Sequence, residues 1–236
     1  METNLSSLKK TARLAGLLYL IWVITGLFSI LYISPRIFVS GDAVSTAKNI
    51  LSYEFLFRIS IINDLISSTI GVLLVLTLYK LLKQVNEHQA RLMVAFLFVT
   101  IPVAFIMEAF NLTALMILKG EILKSFELSQ RQDIAMVFLK MNDHCTFALE
   151  LFWGLWLIPL GQLIYKSKYI PSILGIFLIL NGVAYIIQGI LSLLFPNYRT
   201  IIAQFAMPFW ILGEISITLW LLIKGVKDNV SPIDNQ

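Results

Sequence analysis

Residues 169–195 read YIPSILGIFLILNGVAYIIQGILSLLF, inside an uncharged run of 30 residues, 169–198, between Lys168 and Arg199. As a helix this run extends ~45 Å at ~1.5 Å per residue. The hydrocarbon core of a bilayer is ~30 Å thick. A surface helix of a soluble protein shows a polar face, and this stretch has only scattered Asn and Gln. It therefore reads as a membrane span.

Working outward, the same pattern recurs five times, giving spans at about Leu14–Ile33, Phe55–Leu82, Leu92–Leu118, Ile134–Tyr165, Tyr169–Phe195 and Thr200–Ile223. The fourth is the least apparent, because KMNDHCTFALE (140–150) precedes its apolar half. Residues 151–165 alone cannot cross ~30 Å, so the helix must recruit polar residues before them. Composition agrees: the 236 residues are 58% hydrophobic and 14% charged, against ~45–50% and ~25% in soluble domains, and mean hydropathy is +0.83. The expected fold is an all-α bundle of six transmembrane helices in one domain, 1–236, with no room for a separate soluble domain. The uncharged run from Leu14 to Pro35 exceeds the ~7–15 residues of a signal-peptide core, so the first span is expected to be retained.

Topology follows from the lysines and arginines. With a cytoplasmic N-terminus, Lys9, Lys10, Arg13, Lys80, Lys83, Arg91, Lys166, Lys168, Lys224 and Lys227 fall on the inner side. The short second and fourth loops are basic, and the longer first and third are mixed. Both termini are thus expected in the cytoplasm, and the bacterial cytoplasmic membrane is the expected location. The formal net charge of +4 reflects this flanking and not a nucleic-acid surface. A single cysteine, Cys145, excludes an intrachain disulfide and a Cys-Cys metal motif. In the first outer loop Ser40 is placed to cap a helix from Gly41, with Val44, Ala47, Ile50 and Leu51 on one face. Ser129 and Gln132 form an S-x-x-Q box before the fourth span. The endings LYKLLK, LIYKSK and LLIKGVK look like a repeat, but any inward-ending span favours an apolar tail followed by lysine.

Several stretches together resemble one family: ARLAGLLYLI (12–21), FLFRIS (55–60), LYKLLKQVN (78–86), FWGLWLIPLGQLIYKSKYIPSILGIFLILNGVAYII (152–187) and the pair Gly213-Glu214. They are similar to the bacterial membrane-protein family catalogued as domain of unknown function 4386. The resemblance covers nearly the whole chain, and FWGLWLIPLGQLIYKSKYIP is its most specific part. It implies a six-helix bacterial membrane protein. The family has no established activity, so the resemblance carries over no catalytic residues.

An ionisable side chain at mid-bilayer costs about 2.5–3.5 kcal/mol on insertion scales, so each needs a partner, water or a function. Arg58, Asp64, Glu108, Glu150 and Glu214 lie within spans, with Asp143 and His144 near a span's outer end. Asn63, Asn111, Asn142, Asn181, Gln188 and Gln204 join them. On the expected topology nearly all share the outer half of the bilayer, Glu214 being the exception. Glu108 and Asn111 share a helix face, as do Asp143, Thr146 and Glu150. Arg58 and Asp64 are about 120° apart around their helix, so their pairing does not follow. A water-accessible cavity open to the outside, lined by Arg58, Asp64, Glu108, Asn111, Asp143, His144 and Glu150, would bind or move a small polar or cationic solute, or a proton. The competing reading is that these groups fasten helix to helix, for about 0.6 kcal/mol each.

Two other classes stand beside the transporter: a non-catalytic subunit packed on a membrane-protein partner or in a homo-oligomer, and an intramembrane enzyme acting on a hydrophobic substrate. No cofactor and no metal site are expected, since His88 and His144 fall on opposite sides and a catalytic zinc needs three protein ligands. Ser67, Ser68 and His144 could supply a nucleophile and base, with Asp64 as orienter. No G-x-S-x-G, H-E-x-x-H, P-loop or G-x-G-x-x-G pattern is present. Pro102 and Pro159 should bend their spans. Gly154 and Gly161, seven apart on one face, should lie against a neighbouring helix. Trp153 and Trp156 lie deep for an interfacial belt and are expected to pack in the bundle.

Overall fold

A computed structural model of the protein describes residues 2–227. Residue 1 and residues 228–236, which the single-domain expectation includes, lie outside the described residues. In lipid every backbone N–H and C=O must be satisfied within its own segment, and apolar runs without water partners become helices. The described residues are helical with no strand: α1 (Glu2–Phe28), α2 (Ser34–Ile37), α3 (Ala43–Ser52), α4 (Glu54–Leu82), α5 (Glu87–Lys119), α6 (Leu128–Lys166), α7 (Ser172–Leu194), α8 (Arg199–Trp210) and α9 (Ser216–Ile223). A π-helical turn, Ser29–Ile33, joins α1 to α2, and another, Ile211–Ile215, joins α8 to α9. The fold is that of a multi-pass membrane protein with six long apolar helices: Leu5–Ile37, Glu54–Leu82, Glu87–Lys119, Leu128–Lys166, Ser172–Leu194 and Pro196–Ile223.

Several helices outrun their apolar stretches, because nothing in the flanking sequence breaks them. Residues 5–13 contain neither Gly nor Pro, and Lys9, Lys10 and Arg13 ride on the same helix as the first span. The 39 residues of α6 reach ~58 Å, about twice the hydrocarbon thickness. Its start differs from the expected box: Ser129 lies inside the helix, and the Glu127 N–H donates to Gln130 Oε1 at 2.9 Å. The outer-loop helix also starts later than expected. Gly41 has φ +76°, a left-handed turn, so the cap falls on Asp42, whose carboxylate accepts from the Ser45 N–H at 2.9 Å and the Ser45 hydroxyl at 2.6 Å. These bonds, the hydroxyl first, hold the Asp42 carboxyl below its ordinary value.

The described residues pack as two units. The first comprises residues 2–21, 70–100 and 147–227. Here α6 and α7 meet glycine to glycine: a Cβ on Gly154 would strike the Gly182 carbonyl, and one on Gly161 would lie 2.6 Å from the Gly175 carbonyl. Trp156 is buried, as are Leu74, Leu78, Leu81 and Leu97. Tyr169, buried in the α6–α7 loop, donates its hydroxyl to the Leu81 carbonyl at 2.9 Å, and burial pushes its phenol up to about 12.

The second unit comprises residues 22–69 and 101–146. Its core is aliphatic, with Ile33, Ile37, Ala47, Ile50, Phe57, Leu115, Leu118 and Leu139 in one cluster. Ala47 and Ile50 seat α3 on that cluster, while Val44 and Leu51, expected on the same face, are 63% and 38% exposed.

Candidate functional site

Arg58 lies in the first turns of α4, where Glu54 stands one turn earlier. Its Nε donates to Glu54 Oε1 at 2.9 Å, and Lys119 Nζ at the end of α5 reaches the same oxygen at 3.0 Å. Lys119 also pairs with Glu121 at 2.9 Å. Arg58 is thus engaged at a helix end, by a partner that i, i+4 spacing makes legible.

Asp64, a turn and a half further along α4, meets different chemistry. Its Oδ1 accepts from the Ser29 hydroxyl at 2.8 Å and from Asn63 Nδ2 at 3.1 Å. Asn63 Nδ2 also reaches the Thr25 carbonyl at 3.1 Å and Ser29 Oγ at 2.9 Å. The Thr25 hydroxyl donates to Ser67 Oγ at 3.0 Å. Ser29 is the first residue of the Ser29–Ile33 π-helical turn. A π turn widens the helix locally and is common at functional sites.

On α5, Glu108 is 7% exposed, and its Oε2 accepts from Asn111 Nδ2 at 2.9 Å, one turn on. Asn142 on α6 donates to the Met107 carbonyl at 2.9 Å. Asp64 and Glu108 belong to the same unit. Neither forms an ion pair with Lys, Arg or His among the described residues. Asp143 and His144 are exposed on α6.

Of the seven residues expected to converge, Glu150 alone belongs to the other unit. It is 5% exposed, and its Oε1 accepts from Gln188 Nε2 of α7 at 2.7 Å. In that unit Glu214 Oε1 accepts from Asn181 Nδ2 at 3.2 Å and the Tyr185 hydroxyl at 3.3 Å. Ser29 and Tyr185 are polar contacts that the sequence analysis did not name. Ser29 is invisible to periodicity because it lies 35 residues from Asp64. Among the described residues no group of three or more His, Cys, Asp or Glu is placed to hold a metal ion.

Asp64, Glu108 and Glu214 share one pattern. Every hydrogen bond they receive comes from a hydroxyl or an amide, and for Asp64 and Glu214 both donors crowd onto one oxygen. A hydroxyl can donate to a carboxylate or accept from a carboxylic acid, and an amide can do either by turning over. Such partners suit a carboxyl group that gains and loses a proton or a cation. The guanidinium and ammonium beside Glu54 can only donate.

Known proteins give the chain a family and no activity. An uncharacterised protein of Archaeoglobus fulgidus is 36% identical over 77 residues, covering 33% of this chain and 44% of that protein. The match thus spans less than half the length of that relative. No solved structure matches the chain. The family described as Domain of unknown function (DUF4386) matches residues 14–225, and the chain belongs to that family.

Proposed function

We propose that this protein lies in the bacterial cytoplasmic membrane with both termini in the cytoplasm, and that it binds a small cation, the proton included, at Asp64 and Glu108 and passes it across the bilayer. The observation that carries this reading is a pair of carboxyl groups on spans of one unit, each hydrogen-bonded by neutral side chains and ion-paired with no Lys, Arg or His among the described residues. Carboxylate charges in low dielectric are relieved by a proton or a bound cation. A site meant only to fasten helices has no need of two acids, since amides or hydroxyls would hold the helices without the charge. Ser29, Asn63 and Asn111 supply the surrounding oxygen and nitrogen atoms. Arg58, engaged by Glu54, serves the helix end.

The test is flux into sealed liposomes carrying the purified protein, driven by a pH or sodium gradient. The reading expects flux above that of empty liposomes, abolished in both Asp64→Asn and Glu108→Gln and kept in Arg58→Gln. Absence of flux in the folded wild type, or flux that survives both carboxyl substitutions, overturns it. Turnover of a lipid or stoichiometric co-purification of a partner, without flux, would favour the enzyme or the subunit instead.

A further inference from the structure

Glu214 is used by nothing proposed above, and its surroundings are more elaborate than helix packing requires. It stands in the Ile211–Ile215 π-helical turn, which begins three residues after Pro208. Pro208 has no N–H, so the helix loses a backbone bond one turn before the π turn widens it. Gly213 permits the close approach of α7: a Cβ there would lie 2.8 Å from Asn181 Cβ. Asn181, fully buried, and Tyr185, one turn on, then both address Glu214 Oε1.

The aromatic wall is equally specific. Trp210 stacks on Tyr185 with ring centroids 5.3 Å apart and planes 15° from parallel, and Trp153 meets Tyr185 edge-on at 6.0 Å. These ring contacts hold the phenol in place. Asn181 Oδ1, on the amide that bonds the carboxyl group, is buried without a hydrogen-bond partner, as is Trp210 Nε1 in the stack. A buried acceptor left unmatched costs about 1–3 kcal/mol, so one this close to an acid calls for an explanation. A carboxylic acid O–H is the donor that can reach an amide oxygen once the amide turns over. Tyr185 can likewise donate to the carboxylate or accept from the acid.

We propose that Glu214 is a proton-binding site, with Asn181 and Tyr185 as partners that serve both its charged and neutral forms. The titratable groups facing it are Tyr185 on its own packed neighbour and Tyr19 on α1, with Glu150 acting on Tyr185 from α6. No lysine or arginine forms an ion pair with Glu214 among the described residues. The step is a bare proton exchange: the carboxylate takes a proton from water-borne acid and returns it, with no bond to carbon made or broken. The inference does not rest on the Asp64 and Glu108 reading, because it concerns a different carboxyl in the other unit.

The experiment is infrared difference spectroscopy of the full-length protein in lipid nanodiscs as pH is stepped, with tryptophan fluorescence recorded in parallel. The site predicts a carboxylic-acid C=O band that appears on acidification, together with a fluorescence change from Trp210. A component of the band and the fluorescence change should be lost in Glu214→Gln, and that component should persist in the Asp64→Asn, Glu108→Gln double variant. Tyr185→Phe keeps the ring stack and removes the hydroxyl, so it should shift the pH midpoint of the band without abolishing it. The proposal is overturned by a band unchanged in Glu214→Gln when the variant matches the wild type in size-exclusion profile and helicity, or by a midpoint indifferent to Tyr185→Phe. A signal that follows added sodium at fixed pH, and not pH, also overturns it.

Discussion

In the unit of residues 22–69 and 101–146 the π-helical turn supplies the donor, Ser29, and the acid comes from a different helix. In the unit of residues 2–21, 70–100 and 147–227 the π-helical turn carries the acid itself, Glu214, and the donors come from α7. The surroundings differ as well. The unit of residues 22–69 and 101–146 is held by an aliphatic cluster and a web of small hydroxyls and amides. The other unit is held by backbone-to-backbone contact at glycines, with Trp210 stacked on the tyrosine that bonds the acid. Glycine contact leaves no slack, whereas hydroxyls and amides exchange partners at small cost. The unit holding the carboxyl pair is therefore the more adaptable of the two.

Substitution at the glycines should break this contrast with the largest effect. Gly154→Leu forces a side chain into the Gly182 carbonyl, and overpacking of this kind costs about 1–3 kcal/mol or more. Gly26, in the other unit, has nothing within 4 Å of its Cβ position, so Gly26→Leu should leave stability unchanged. Thermal unfolding in detergent should show a lower midpoint for the first and none for the second. Equal losses would mean that glycine contact is not what distinguishes the units.

A smaller and local effect is expected at α3. Asp42→Ala removes the cap on that helix, and hydrogen exchange at the Ser45 amide should speed up while the membrane helices stay protected. The sign with pH follows from the lowered Asp42 value. The cap is present above the ordinary aspartate range of ~3.9 and is lost as pH falls through the depressed value of the folded protein. Protection of Ser45 should thus hold at neutral pH and fade only in strong acid. Fading near neutrality would contradict the cap.

The six spans were legible because lipid leaves the backbone no alternative to helix over a long apolar run. The Gly154 and Gly161 face was legible from spacing, and it does meet α7. The Arg58 partner was legible too, since Glu54 precedes it by four residues, yet a search confined to apolar stretches passes over it. Contacts between helices were not: Ser29 with Asp64 and Gln188 with Glu150 depend on relative rotation and depth, which one chain's periodicity does not fix. The π-helical turns leave no composition signature, and Ser29 looks like any small residue in a span. The α3 cap moved from Ser40 to Asp42 because Gly41 adopts a left-handed turn, which shifts the first helical residue past it.

In both units the membrane acids are held by groups able to accept or donate, and at Asp64 and Glu108 this lets a proton and a cation trade places. The most direct measurement is proton release from the purified protein in weakly buffered nanodiscs when sodium chloride is added, against choline chloride as the ionic-strength control. The account predicts a saturable release in the wild type that disappears when Asp64→Asn and Glu108→Gln are combined. Release that is identical with choline, or that the combined variant retains in full, would contradict it.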